Sequence, residues 1–164
     1  MRVMSDLGAR ADEREMLNGF LDWSRAVVER KVEALTREDA TRVMTPTGLS
    51  PLSVVAHLAA VEYGWFDETF LGNPVRQDLD DHGEFQLHDD DTVASVVDEY
   101  AEACAHSRNV VAGAATLDDL SALDTPFRGR VTLRWILVHM IEETARHAGH
   151  LDLMREQIDG RTGD

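Results

Sequence analysis

Near the C-terminal end of the chain, residues 138–150 carry histidines and a carboxylate at helical spacing. At about 100° per residue, His139, Glu143, His147 and His150 fall on one stripe of an amphipathic helix. Apolar residues flank this stripe and predict that it faces the protein interior: Leu133, Ile136, Val138, Met140, Leu151, Leu153 and Met154. The pattern therefore predicts a buried cluster of groups that are able to bind a metal ion.

Glu143 and His147 are the best-placed pair in this stripe. Their i, i+4 spacing puts the two side chains one helical turn apart, which is the geometry by which a helical His-x-x-x-His binds zinc. A buried carboxylate beside an imidazole is unfavourable unless a cation compensates it, and a divalent metal would do so. Two ligands do not make a site, so a third must come from elsewhere in the chain.

His57 is the candidate for that third ligand. It lies two turns into a second predicted helix, between Ala56 and Leu58, so we expect it to face inward. An isolated histidine on an apolar helix is more often a hydrogen-bonded core residue than a ligand. Because Glu143 and His147 offer a shared metal, we favour the ligand role for His57.

Four amphipathic helices should position these residues, and no segment has a convincing strand pattern. We expect residues 1–164 to form one all-α domain, a four-helix up-down bundle with long crossover loops, in which residues 1–11 are a loose lead-in. The predicted helices run from Asp12 to about Leu35, from Ser50-Pro51 to Gly72, from Asp91 or Thr92 to about Val111, and from Thr132 to Ile158.

Two long connections separate the later helices. Residues 73–90 are strongly acidic and long for a bundle connection, which indicates a crossover, and we expect His82 and His88 within it to be exposed. Residues 114–131 form the second connection, and Arg128 and Arg130 place two cations just before the last helix. These arginines are either solvated or positioned to meet an anionic ligand.

The composition excludes several classes of function. Sixteen basic residues against thirty-one acidic ones give a formal charge of −15, which repels nucleic acid phosphates and anionic lipids. Cys104 is the only cysteine and is expected to be a buried structural thiol. No segment resembles a secretory signal or a membrane span, so we expect a soluble, cytoplasmic protein.

Two segments carry a resemblance to a known family: residues 57–66, HLAAVEYGWF, and residues 138–150, VHMIEETARHAGH. They resemble the two signature segments of the DinB (YfiT-like) superfamily, and more narrowly an actinobacterial branch of mycothiol-transferase-like proteins. The likeness covers nearly the whole chain, including residues 45–50, TPTGLS, ahead of the second helix.

This resemblance implies a divalent metal, with zinc favoured over nickel. The superfamily usually holds it with one histidine on the second helix and a His-x-x-x-His on the last, but here Glu143 replaces the first histidine of that pair. The resulting set is similar to the His, Glu, His set of mycothiol-dependent maleylpyruvate isomerases. The implied ligands are therefore His57, Glu143 and His147.

The resemblance also implies roles for residues around the metal. His139, His150 and Arg146 would lie beside the ligands or face the substrate, and Arg128 and Arg130 would contact a low-molecular-weight thiol. The implied activity is that of a metal-dependent S-transferase, which conjugates mycothiol to small electrophiles in detoxification. Alternatives are a bacillithiol- or glutathione-dependent transferase or isomerase, and a non-catalytic, stress-associated metal-binding bundle. Pairing into a homodimer is common in the superfamily.

Overall fold

The computed structural model describes residues 11–74, 85, 87–125 and 128–163. Within these residues the regular structure is helical, and the only β-type pairings are isolated bridges near the start of the last helix. The elements are α1 (Glu13–Val32), α2 (Arg37–Thr41), α3 (Pro51–Glu62), a π-helical segment (Tyr63–Phe70), α4 (Val93–Gly113) and α5 (Leu133–Asp159). The predicted all-α architecture with four long helical elements is confirmed.

Side-chain caps explain where the helices begin. Ser50 and Ser53 form a reciprocal capping box with Pro51 at the first helical position, as the sequence predicted. Thr132 caps α5 by accepting a hydrogen bond from the backbone of Trp135. Thr92, rather than Asp91, caps α4 through a similar box. These bonds satisfy backbone N–H groups that a helix start leaves unpaired.

The helices α1 and α5 run parallel to each other. At their starts, Arg134 donates hydrogen bonds to Glu13, with Nε and Oε1 2.7 Å apart. At their ends, Arg155 donates to the backbone carbonyls of Lys31 and Glu33 at 2.6 and 3.0 Å. Contacts at both ends therefore hold the two helices side by side over their shared length.

The other two long elements run in the opposite direction. One core cluster joins the start of α3 and the start of α4 to the later parts of α1 and α5. A second cluster joins the π-helical segment and the end of α4 to the earlier parts of α1 and α5. The order is therefore up-down-down-up, and the acidic connection links two parallel helices, which is why it must be long.

The buried stripe of α5 is narrower than the apolar pattern predicted. Val138 and Leu153 are 53% and 61% exposed, although the apolar pattern predicted that both flank the inward stripe. Each lies on the opposite side of the helix from the positions at i, i+3, i+4 and i+7 that are buried. Isolated exposed apolar residues are common on protein surfaces and need no further explanation.

A glycine joins the π-helical segment to the connection before α5. Gly72 has a φ of 78°, and a Cβ added there would lie 2.9 Å from the Cβ of Ala122. The Ala122 amide donates to the carbonyl of Phe70 at 2.9 Å, and the Leu123 amide donates to Thr69 at 3.1 Å. The absence of a side chain thus lets the two backbones approach each other.

Some predictions fall outside the described residues. These are His82, most of the acidic connection and nearly all of the predicted lead-in, residues 1–10. His88 is described and is exposed, as expected. Among the described helices, none combines the length and the apolar character needed to cross a membrane.

Candidate metal centre

The structure brings His57, Glu143 and His147 together between α3 and α5. One donor atom from each side chain lies within 4.8 Å of the others. All three residues are buried, with exposures of 8%, 6% and 4%. Sequence spacing indicated the pair on α5, and the antiparallel packing of α3 against α5 supplies the third group.

The distances between donor atoms suit a small divalent cation. Glu143 Oε1 lies 3.3 Å from His57 Nε2 and 3.0 Å from His147 Nε2. Ligands bound to zinc at about 2.0–2.1 Å in a tetrahedral arrangement are separated by roughly 3.3 Å. Two imidazole nitrogens and a carboxylate oxygen are also a donor set that zinc takes in catalytic sites. The three side chains therefore fit such an ion.

Electrostatics favours the metal-binding forms of Glu143 and His147. Burial acts to raise the pKa of Glu143, but the hydrogen bond with His57 and the charges of His147 and Arg146 outweigh it and lower that pKa. Burial, with a further electrostatic contribution from the neighbouring His57, lowers the pKa of His147 to about 4. At neutral pH, Glu143 is therefore ionised and His147 carries a free ring lone pair.

Two neighbours on α5 hold these groups in place. His150 Nδ1 lies 3.3 Å from His147 Nδ1, on the side of the ring opposite Glu143. Arg146 donates to Glu143 Oε2, while Glu143 Oε1 faces the two histidines. Contacts of this kind orient metal ligands and select the histidine tautomer.

Phe85, in the acidic connection, covers the cluster. Its ring centroid lies 4.3 Å from that of His57 and 5.7 Å from that of His147. The sequence pattern did not predict this contact, because the acidic connection was expected to be a solvated crossover. The available signal was a phenylalanine within a strongly acidic segment, since burying its apolar ring against the protein is favourable.

His139 does not join the three clustered residues. Its described contacts are to Trp135, at 5.1 Å between stacked rings, to Trp65, at 4.8 Å, and to Glu142, at 3.7 Å. The rings of Trp65 and Trp135 are 5.4 Å apart, and all three aromatic side chains are half-buried. The predicted stripe therefore divides into a buried metal-type cluster and a more exposed aromatic group.

Arg128 and Arg130 lie beyond this aromatic group. They line a cavity of about 490 Å³ together with Val131, Thr132 and Trp135. The guanidinium carbon of Arg128 is 5.7 Å from the centre of the Trp135 ring, within the range of a cation–π contact. Both arginines are exposed, and Arg130 donates to the carbonyl of Ser121.

The helix bundle contains a second group of buried polar side chains, formed by Arg25, Glu62 and Cys104. Arg25 on α1 donates to both carboxylate oxygens of Glu62 at 2.7 and 2.5 Å. Cys104 Sγ lies 3.9 Å from Glu62 Oε1, and burial with the nearby Glu62 charge raises the pKa of this thiol to about 12. As predicted, Cys104 is a buried structural thiol, because a protonated, covered sulfur is a poor nucleophile.

Comparisons with known proteins agree with this architecture. A crystal structure described as the conserved protein of locus from Enterococcus faecalis superposes with a TM-score of 0.62 at 15% identity, covering 92% of this chain and 99% of that chain. At this identity the likeness shows the shared fold alone. A comparison with curated proteins gave no significant match. The family model described as Mycothiol-S-transferase matches residues 16–160, nearly the whole chain. The protein therefore belongs to the mycothiol S-transferase family, a DinB-like family.

Proposed function

We propose that this protein is a metal-dependent S-transferase that joins mycothiol to small electrophilic molecules. The observation that carries the proposal is the buried set of His57, Glu143 and His147, whose donor atoms lie within 4.8 Å of one another. Three protein ligands leave a coordination position open, which distinguishes catalytic zinc sites from closed structural ones. Membership of the family supports mycothiol as the thiol.

A divalent metal held there would act as a Lewis acid that lowers the pKa of a bound thiol, so that the thiolate forms at neutral pH. Glu143 supplies the negative charge that balances the cation, and Arg146 holds its outer oxygen. His150 contacts the Nδ1 side of His147, which leaves Nε2 directed at the site. Burial of the cluster and the ring of Phe85 limit access of water.

The metal assignment is tested by elemental analysis of the purified protein. We expect about one divalent ion per chain, and a severe loss in His57→Ala and in His147→Ala because each change removes a donor. His88→Ala is the matched control, since His88 is exposed in the acidic connection. Equal metal content in the wild type and all three variants would show that the ion, if any, binds elsewhere.

A second pair of variants separates Glu143 from His150 as the third ligand. Glu143→Ala should lose metal, whereas His150→Ala should retain most of it and lose activity. Changes to residues that orient a ligand cost about 10–100-fold in affinity or activity. The reverse pattern, with metal kept in Glu143→Ala and lost in His150→Ala, would place His150 in the coordination set instead.

The activity is tested by mixing the protein, mycothiol and a general electrophile such as a bimane or a haloarene. Conjugate should form faster than without protein, and a chelator should abolish the difference. A free thiol has a pKa near 8.5, so activation should flatten the dependence of rate on pH between about 6 and 8. Glutathione and bacillithiol serve as comparison thiols and should be poorer substrates.

One outcome favours a different function. If the protein binds metal at His57 and His147 but none of the three thiols reacts with any of a broad set of electrophiles, the metal site is not an S-transferase centre. The protein would then be a non-catalytic metal-binding bundle.

A further inference from the structure

Beside the metal-type cluster lies an aromatic surface that the cluster does not use. It is formed by Trp65, Trp135 and His139, and we call it the aromatic platform. The three ring centroids lie between 4.8 and 5.4 Å from each other. All three side chains are half-buried, so part of each ring remains accessible.

Two helical elements supply the side chains of the aromatic platform. Trp135 and His139 are one turn apart on α5, and the next residue of this spacing is Glu143. Trp65 comes from the π-helical segment, which follows α3 directly and packs against the start of α5. The rise of 1.5 Å per residue puts His139 about 6 Å and Trp135 about 12 Å from Glu143 along the axis.

A positive charge marks the far end of this platform. Arg128 lies over Trp135 at 5.7 Å and lines the adjacent cavity with Arg130. Within the part of the chain that the structure describes, neither guanidinium forms an ion pair with a carboxylate, although the protein has a net charge of −15. Arg134, by contrast, is held by Glu13 and Asp118.

The start of α5 also favours a negative ligand here. Thr132 lines the cavity as the cap of this 27-residue helix, whose N-terminal end carries partial positive charge. The first amides of the helix are already bonded, since Leu133 donates to Asp119 and Arg134 donates to Leu117, both at 2.9 Å. Hydrogen bonds to a ligand would therefore come from the arginine side chains.

From this arrangement we propose that the platform and Arg128 bind the electrophilic acceptor, and that the acceptor is a planar aromatic molecule with an anionic group. Its ring packs against the accessible parts of the Trp65, Trp135 and His139 rings, its carboxylate or sulfonate pairs with Arg128, and its reacting end extends toward Glu143. The inference rests on the proposed S-transferase function. It assigns Arg128 to the acceptor rather than to mycothiol, because the sugar portion of mycothiol carries hydroxyl groups and no negative charge.

The test is direct binding of an unreactive probe to the full-length protein, without thiol. Naphthalene-2-sulfonate is titrated by calorimetry and by quenching of tryptophan fluorescence, with the uncharged naphthalene-2-sulfonamide as its isostere. Arg128→Gln should weaken sulfonate binding about tenfold or more and leave sulfonamide binding unchanged, since only the charge-assisted contact is lost. Arg161→Gln, an exposed arginine near the other end of α5, is the matched control and should change neither.

Stacking is tested separately from charge. Trp135→Leu and Trp65→Leu should each weaken both probes about tenfold, because loss of an aromatic face affects charged and neutral rings alike. Thermal unfolding of each variant verifies that it is folded, and Arg128→Gln does not alter a buried residue. These measurements need neither turnover nor metal, so their failure would leave the S-transferase proposal standing.

Two results would overturn the proposal. The first is sulfonate binding that Arg128→Gln leaves intact, or no binding of either probe. The second is displacement of the probe by S-methyl mycothiol, which would assign the platform to the thiol. Retained binding in the presence of S-methyl mycothiol, together with the loss in Arg128→Gln, would support a separate acceptor site.

Discussion

The buried ion pair between Arg25 and Glu62 provides a demanding test of how the bundle is held together. The two residues are 2% and 1% exposed, and two hydrogen bonds join them. Removing one partner leaves the other charge buried and uncompensated, at a cost of about 3–5 kcal/mol. Asp22 also contacts Arg25 at 2.9 Å, so the loss in Glu62→Leu should lie near 3 kcal/mol.

The perturbation is a double-mutant cycle with Arg25→Met, Glu62→Leu and the combined variant. Each single change should lower the free energy of unfolding by about 3–5 kcal/mol, which corresponds to roughly 6–20 °C in Tm for a chain of this size. The combined variant should be more stable than either single variant, because apolar residues of similar volume replace a buried pair with little net cost.

The assay is urea unfolding followed by circular dichroism and tryptophan fluorescence, with metal removed so that ligand binding does not contribute. If the combined variant loses the sum of the two single losses, the two residues act independently and do not stabilise the bundle as a pair. Single losses below about 1 kcal/mol would also refute the prediction, since they are typical of a hydrated surface pair.

Three further predictions concern other parts of the chain. Gly72→Ala should destabilise the protein by about 1–3 kcal/mol, because the φ of Gly72 is 78° and the new Cβ would lie 2.9 Å from the Cβ of Ala122. Gly149 lies in a helix with open space around it, so Gly149→Ala should be neutral or stabilising by up to about 1 kcal/mol. Urea unfolding compares the two variants. Since the folded protein lowers the pKa of His147 to about 4, the unfolded chain binds a proton first as pH falls. In the metal-free protein, the contribution of His147 to the free energy of unfolding should therefore be constant above pH 6.5 and fall by up to about 3 kcal/mol by pH 4. The free energy of unfolding of His147→Gln, measured over the same pH range, should lack that loss. Cys104 should resist iodoacetamide in the native protein at pH 8 and react on unfolding, because burial raises its thiol pKa to about 12. Mass spectrometry measures the labelling, and fast labelling of the native protein would contradict this prediction.

Local chemistry alone determined the helices and two of the three residues of the candidate metal centre. Ser50 and Thr132 mark helix starts because their side chains accept hydrogen bonds from amides three residues ahead, a contact that does not depend on the rest of the fold. The pairing of Glu143 and His147 is likewise local, since the helical repeat puts them one turn apart. The length of the acidic connection, residues 73–90, predicted a crossover, and the parallel directions of the helices on either side of it agree with that prediction.

Tertiary packing decided the rest. Only the antiparallel approach of α3 to α5 places His57 Nε2 3.3 Å from Glu143, and no spacing along the chain encodes that distance. The contacts of Phe85 with the two histidines are also tertiary, and helical periodicity does not predict them. The separation of His139 from the cluster has the same origin, because Trp65 from the π-helical segment meets it there. A helical repeat determines which residues share a face, whereas the neighbouring helix determines what each part of that face contacts.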